Sequence, residues 1–178
     1  MAFIDTGFYI ALVGLFYGLF KPVSRSVSLV AAFFGLIGCA IQTGGGVFGL
    51  FSIIVLRAGH GANGLNADQL PALALLFLKL NDQAVNVALI FFAAYCLLIG
   101  LLILGSNFLP RVLGVLIFLA GLGWVAFLYE PLANHLFPYI QVLGVIAEAM
   151  LVLWLLIIGV NVDRWSEQAN ATVDLGGP

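Results

Sequence analysis

The stretch SVSLVAAFFGLIGCAIQTGGGVFGLFSIIVL, residues 26–56, carries no charge and is closed by Arg57. A helix needs about 20 apolar residues to cross a hydrocarbon layer of about 30 Å. At 1.5 Å per residue this one would reach about 47 Å, so it must tilt, protrude or break. Read at alternating spacings of three and four, it presents Ser28, Ala31, Gly35, Gly38, Gln42, Gly45, Gly49 and Ser52 on one face. All are small except Gln42. In lipid, helices associate through packing and hydrogen bonds, and small residues let their backbones approach. The stretch therefore predicts the central post of a membrane bundle, with Gly35, Gly38, Gly45 and Gly49 as helix-packing positions. Gly44-Gly45-Gly46 leaves two possibilities open. Three glycines disfavour a continuous helix, and a half-unwound helix near the midplane is a common transporter binding site. Alternatively, the helix is whole and tilted, and its glycines serve packing.

The rest of the chain agrees with a membrane setting. Of 178 residues, 63% are hydrophobic and 8% charged, far from the composition of soluble domains. The formal net charge is −2 with no basic patch, which argues against a nucleic-acid partner. Cys39 and Cys96 both fall inside apolar runs and read as small packing residues. No basic leader and no small-residue cleavage site follows Phe20, so no removable signal peptide is expected.

The fold class expected is all-α, a polytopic transmembrane bundle of about five spans: 3–20, 26–56, 84–104, 112–129 and 139–160. Residues 1–162 form one transmembrane domain, and 163–178 a polar tail that frays from Asn161. Gly14 and Gly18 make a small-xxx-small pair expected to touch the central post. Ser24 or Ser26 can cap that post after the Lys21-Pro22 turn. Residues 58–67 read as a Gly/Asn-rich loop, and 68–80 as a short helix with Asn66 and Gln69 as a capping pair. The apolar run of that helix is too short to span. It is interfacial or re-entrant, or else an extension of the next helix. Asn134, His135 and Pro138 suggest a turn before the last span. Lys21, Arg25, Arg111 and Arg164 collect on one side, against Arg57 and Lys79 on the other. Basic loops stay cytoplasmic, so the N-terminus is expected outside and the C-terminus inside.

Several blocks in order resemble a bacterial membrane family catalogued as domain of unknown function forty-three eighty-six. They are Phe20-Lys21-Pro22-Val23-Ser24-Arg25, Ala31-Ala32-Phe33-Phe34, Leu76-Phe77-Leu78-Lys79-Leu80, Phe91-Phe92 and Leu98-Ile99-Gly100. Leu109-Pro110-Arg111-Val112-Leu113-Gly114, the most specific, precedes Ala120-Gly121-Leu122-Gly123 and Glu148 with Trp154-Leu155-Leu156. The resemblance implies a multi-pass protein of the bacterial inner membrane, and it brings no known activity. The family is similar to a six-span bundle, so this chain reads as lacking the first span. It also has Gly35 where the family often carries Arg, and Ala147 where the family has Gly.

Glu148 is the residue most in need of a physical account, because an ionisable group at mid-span costs several kcal/mol unless it is neutral, paired or wet. Hydrocarbon favours the neutral acid over the carboxylate. Gln141, Gly144 and Glu148 share a helical face, and Gln42 lies at a similar depth on the central post. Glu148, Gln42 and Gln141 thus make a candidate buried polar site. One reading is a protonated Glu148 hydrogen-bonded to Gln42 or to a backbone carbonyl as packing glue; the other is a ligand or proton site. Asp82, Asn86, Cys96 and Gly100 make a second, weaker stripe. His60 and His135 sit in separate loops, so no metal site is expected, and no cofactor. No Ser/His/Asp, paired-carboxylate or Cys/His set lies at one depth, so no catalytic residue is named and an enzyme is not expected. Two functions remain. One is a non-enzymatic accessory or lipid- or small-molecule-binding module, whose partners are the bilayer and other membrane subunits through a small-residue face. The other is a small proton-coupled transporter with a midplane site around Glu148.

Overall fold

The computed structural model describes residues 2–57 and 69–174. The loop expected at 58–67, with His60 and the Asn66 cap, lies outside the described residues, as do the last four residues of the tail. Among the described residues six α-helices follow in order: α1 (Ala2–Phe20), α2 (Arg25–Arg57), α3 (Gln69–Gly105), α4 (Arg111–Val125), α5 (Glu130–Ile157) and α6 (Val162–Asp174). Four segments are long and apolar enough to cross a membrane: Arg25–Arg57, Gln69–Gly105, Arg111–Leu128 and His135–Ile157, with Ile4–Phe20 as a shorter apolar helix. Their outward side chains are large and apolar. Phe8 is 74% exposed, Leu15 70% and Leu156 78%. Such a surface would aggregate in water and is the ordinary girdle of a bundle in lipid. The protein is a helical membrane bundle.

α2 and α3 make its most extensive helix pair. α2 runs unbroken through the glycine triplet, so the half-unwound alternative falls. Hydrocarbon offers nothing to satisfy freed backbone groups, and a whole helix satisfies them all internally. Gly44 and Gly46 face open space, whereas a Cβ on Gly45 would stand 2.5 Å from the Ala84 Cβ. Ser28, Ala31, Gly35, Gly38, Gly45 and Ser52 are buried. Gln42 alone on that track is exposed. The same contact continues outward, where Phe51 and Phe77 rings lie 5.7 Å apart. Residues 69–80 are therefore the first turns of α3 and not a separate interfacial or re-entrant helix. A long α2 needs a partner of equal length, and α3 supplies it.

α1 docks differently from expectation. Gly14 and Gly18 meet nothing within 4 Å, and the contact is made by buried Val13, Phe16 and Phe20 on another face. These larger side chains reach the core shared with Tyr95, Ile103 and Phe108. Val27 N–H donates to Ser24 Oγ at 3.4 Å, so Ser24 is the α2 cap. Ser28 Oγ donates to the Tyr17 carbonyl at 3.0 Å and ties α2 to α1. α4 meets α3 through a second set of glycines. A Cβ on Gly100 would lie 2.8 Å from the Phe118 backbone nitrogen, and one on Gly121 2.9 Å from that of Leu97.

The last third departs most from the sequence expectation. A 3-10 turn (Ala126–Leu128) leads to α5, which begins at Glu130. His135 and Pro138 are inside α5 rather than in a turn. α5 ends at Ile157, and Gly159, whose φ of +76° suits glycine, then turns the chain out of the helix. Asn161 then caps α6, its Oδ1 accepting the Arg164 N–H at 3.1 Å. Residues expected to fray are instead helical as far as Asp174 and fastened across the bundle end. Trp165 Nε1 donates to the Leu19 carbonyl at 2.9 Å, and Gln168 Nε2 to the Gly105 carbonyl at 3.3 Å.

Two neighbouring glycines test this packing. Gly45→Leu should lower stability by at least about 2 kcal/mol through overpacking against Ala84. Gly44→Ala should be neutral or stabilising by about 0.5–1 kcal/mol through helix propensity. Thermal melting in detergent measures both, and equal behaviour of the two variants would overturn the orientation of α2.

Candidate ligand-binding site

Midway along the bundle, α1, α2, α3 and α5 enclose a cavity of about 270 Å³, lined by Tyr9, Gly35, Gly38, Cys39, Gln42, Val85, Ala88, Leu89, Phe92 and Glu148. It exists because four of those positions are Gly, Ala or Cys, which leave space between helices that bulkier residues hold apart. A smaller hollow of about 70 Å³ continues from it, sharing Tyr9, Phe92 and Glu148 and reaching Tyr95, Cys96 and Ile117. The wall between them is aromatic. Tyr9 lies 5.9 Å from Phe92 and 6.1 Å from Tyr95 between ring centroids, and Phe92 lies 5.9 Å from Trp124.

Glu148 lies about 14 Å from the Ile157 end of α5, and Tyr9 about 16 Å from the Phe20 end of α1, at 1.5 Å per residue. Both ends belong to the same side of the bundle, so the two side chains share one depth near its middle. Glu148 and Gln42 are each more than a third exposed, which puts them at the cavity rim. The structure brings both to the cavity but does not bond them to each other. α5 packs on α4, and the gap left between α5 and α2 is the cavity itself. Gln141 is exposed and lines neither hollow. Gly144, between Gln141 and Glu148 on that face, is buried against the Trp124 indole instead.

Gly35 packs between Val13 of α1 and Tyr95 of α3, Gly38 packs on α3, and both line the cavity. Gly45 and Gly49 lie further out and touch only α3. The stripe of Asp82, Asn86, Cys96 and Gly100 does not converge: Asp82 is exposed, Cys96 reaches the smaller hollow, and Gly100 packs on α4. Cys39 and Cys96 are free thiols. Among the described residues no group of three His, Cys, Asp or Glu side chains could hold a metal ion.

Sequence reasoning missed the tyrosines. Tyr9 Oη, Tyr95 Oη and Trp124 Nε1 are buried without a hydrogen-bond partner among the described residues. A buried unpaired polar atom costs about 1–3 kcal/mol, so each calls for an explanation. One signal was present in the sequence. Tyr favours the membrane interfaces, and Tyr9 and Tyr95 instead stand well inside apolar runs.

The family model described as Domain of unknown function (DUF4386) matches residues 1–159. The chain belongs to that family. No curated protein and no solved structure matches it. In this DUF4386 chain the matched region takes in all five apolar helices and the cavity, and α6 follows it.

Removing an unpaired hydroxyl separates its possible roles. Tyr95→Phe should melt at or above the parent temperature, because the variant sheds a buried group that bonds to no protein atom. A loss of more than about 1 kcal/mol would show that the Tyr95 hydroxyl is bonded in the folded protein.

Proposed function

We propose that the protein is a non-enzymatic membrane module that binds an amphiphilic lipid or small molecule of the bilayer. The observation that carries this reading is the convergence of Tyr9, Gln42 and Glu148, unbonded to one another, on an otherwise apolar cavity within the membrane. Such a site suits a polar head that exchanges hydrogen bonds with a hydroxyl, an amide and a carboxyl. The volume lies near the lower bound of about 300 Å³ for small-molecule sites. A ligand's head and first carbons fit, while the rest of its chain stays in lipid beside the rim. Subunit association through the small-residue face of α2 is less favoured, because α3 of the same chain covers that face. Catalysis has no support in the cavity, whose thiol, Cys39, has no histidine among the residues lining it.

The membrane proposed is the bacterial inner membrane, with the N-terminus outside and the C-terminus cytoplasmic. Lys21, Arg25, Arg111 and Arg164 flank the turns at one end of the bundle, and Arg57 closes α2 at the other. Cysteines placed at Arg57 and Asn170 check this in whole cells. A membrane-impermeant maleimide should label position 57 and leave 170 unlabelled until the cells are opened; the reverse pattern overturns the orientation.

The ligand reading is tested with a diazirine-bearing fatty alcohol, photolysed with the purified protein and mapped by mass spectrometry. Adducts should concentrate on Tyr9, the 39–42 turn of α2 and Glu148. Glu148→Leu should cut that labelling about tenfold, the scale of one hydrogen bond to a charged or strongly polar group. The same variant should melt no lower than the parent, since no protein partner is lost. Adducts spread evenly over the outward faces of Leu15, Phe33 and Leu156 would overturn the proposal. Destabilisation by Glu148→Leu together with unchanged labelling would mean that Glu148 serves packing.

A further inference from the structure

We propose that the bundle end formed by the α3–α4 turn and α6 binds a phospholipid whose head group carries both a phosphate and a primary ammonium. This site is separate from the midplane cavity and does not rest on its reading. A hollow of about 420 Å³ is lined there by Ser106, Asn107, Leu109, Arg111, Arg164 and Glu167. A second, of about 390 Å³, adjoins it and shares Asn107, Leu109 and Arg164, while Trp154, Ile158 and Val160 add apolar walls. A charged compartment opening beside an apolar one has the shape of an amphiphile's complement.

The charges are arranged for an ion pair from outside. Arg111 opens α4 and Arg164 stands in the first turn of α6, so two separate elements direct guanidiniums to one hollow. Glu167 lies one turn beyond Arg164, yet among the described residues it forms no ion pair with either arginine. The scaffold holds these groups in place. Arg164 Nη1 donates to the Asn107 carbonyl at 3.4 Å, and the Asn107 N–H donates to Gln168 Oε1 at 3.2 Å. No side chain caps α4, and while the Leu113 N–H donates to the Pro110 carbonyl at 3.1 Å, the N–H groups of Arg111 and Val112 at the helix start add a further attraction for an anion. Trp165, its indole bonded to the Leu19 carbonyl, marks the interfacial level at which lipid phosphates lie.

Guanidiniums match phosphate oxygens in geometry and charge. Glu167 in the same hollow would repel a purely anionic head but accepts hydrogen bonds from an ammonium. Phosphatidylethanolamine supplies both groups. Phosphatidylcholine has the phosphate but cannot donate from its trimethylated nitrogen, and phosphatidylglycerol has no cation.

Native mass spectrometry of the full chain, with the three lipids carrying identical acyl chains, tests the assignment. The parent should retain phosphatidylethanolamine about tenfold better than phosphatidylcholine, the scale of one charge-assisted hydrogen bond. Glu167→Gln should abolish that preference without weakening phosphatidylcholine, and Arg111→Gln should weaken both. Should Arg111→Gln fail to fold, the preference lost in Glu167→Gln carries the test, because Glu167 is exposed and among the described residues holds no ion pair whose loss would unfold the protein. Equal retention of the three lipids, a preference for phosphatidylglycerol, or an unchanged preference in Glu167→Gln would overturn the proposal. Displacement of bound lipid by an equal concentration of free phosphoethanolamine would assign the site to a soluble ligand and overturn it as well.

Discussion

Everything in the bundle leans on the contact between α2 and α3, where two backbones approach to a distance that leaves Gly45 no room for a Cβ beside Ala84. Within hydrocarbon there is no gain from hiding apolar surface, because lipid is as apolar as leucine. Cohesion comes from dispersion between closely fitted surfaces, which weakens steeply as a gap opens. A long pair of helices with small residues along the seam multiplies that contact. α4 repeats the device on the other side of α3, with Gly100, Gly114 and Gly121 as its close points.

The cavity follows from how the remaining helices attach. α1 reaches the post through Val13, Phe16 and Phe20, side chains that hold its backbone away. α5 attaches to α4, with Gly144 receiving the Trp124 indole. Val13 of α1 packs on Gly35, but neither helix fills the space in front of Gly38 and Ala88, and Tyr9, Gln42 and Glu148 line the cavity left there. A bundle selected only for packing would have closed that space with a leucine. Keeping Tyr9, Gln42 and Glu148 there without mutual bonds is costly in a low-dielectric interior, and a bound amphiphile would offset the cost.

The same chain presents a different chemistry at its charged end. There α6 returns across the α1–α2 and α3–α4 turns, fixed by Trp165 and Gln168. It converts loose helix ends into a rigid rim in which Arg111, Arg164 and Glu167 keep their charges apart. On the two proposals made above, one site would address the interior of a lipid environment and the other its head-group layer.

The sequence by itself determined that this is a membrane bundle, which segments are apolar helices, and which face of α2 is packed. Those features are local: apolar length sets spanning, and the 3.6-residue period sets the face. Gln42 and Glu148 were legible for the same reason, as polar letters in apolar runs. Only the tertiary structure decided that 69–80 belongs to α3, that the tail folds as α6, and that Gly14 and Gly18 face outward while Gly100, Gly114 and Gly121 do not. Glycines look alike in a sequence, and which of them touches another backbone depends on helix rotation, set by every neighbour at once. The same holds for Gln42 and Glu148. Their depths could be counted from the sequence, but whether they bond or face each other across a cavity depends on α5 choosing α4 over α2. Tyr9 entered the site for that reason too, since a tyrosine becomes a candidate ligand contact only when the surrounding helices leave its hydroxyl without a partner.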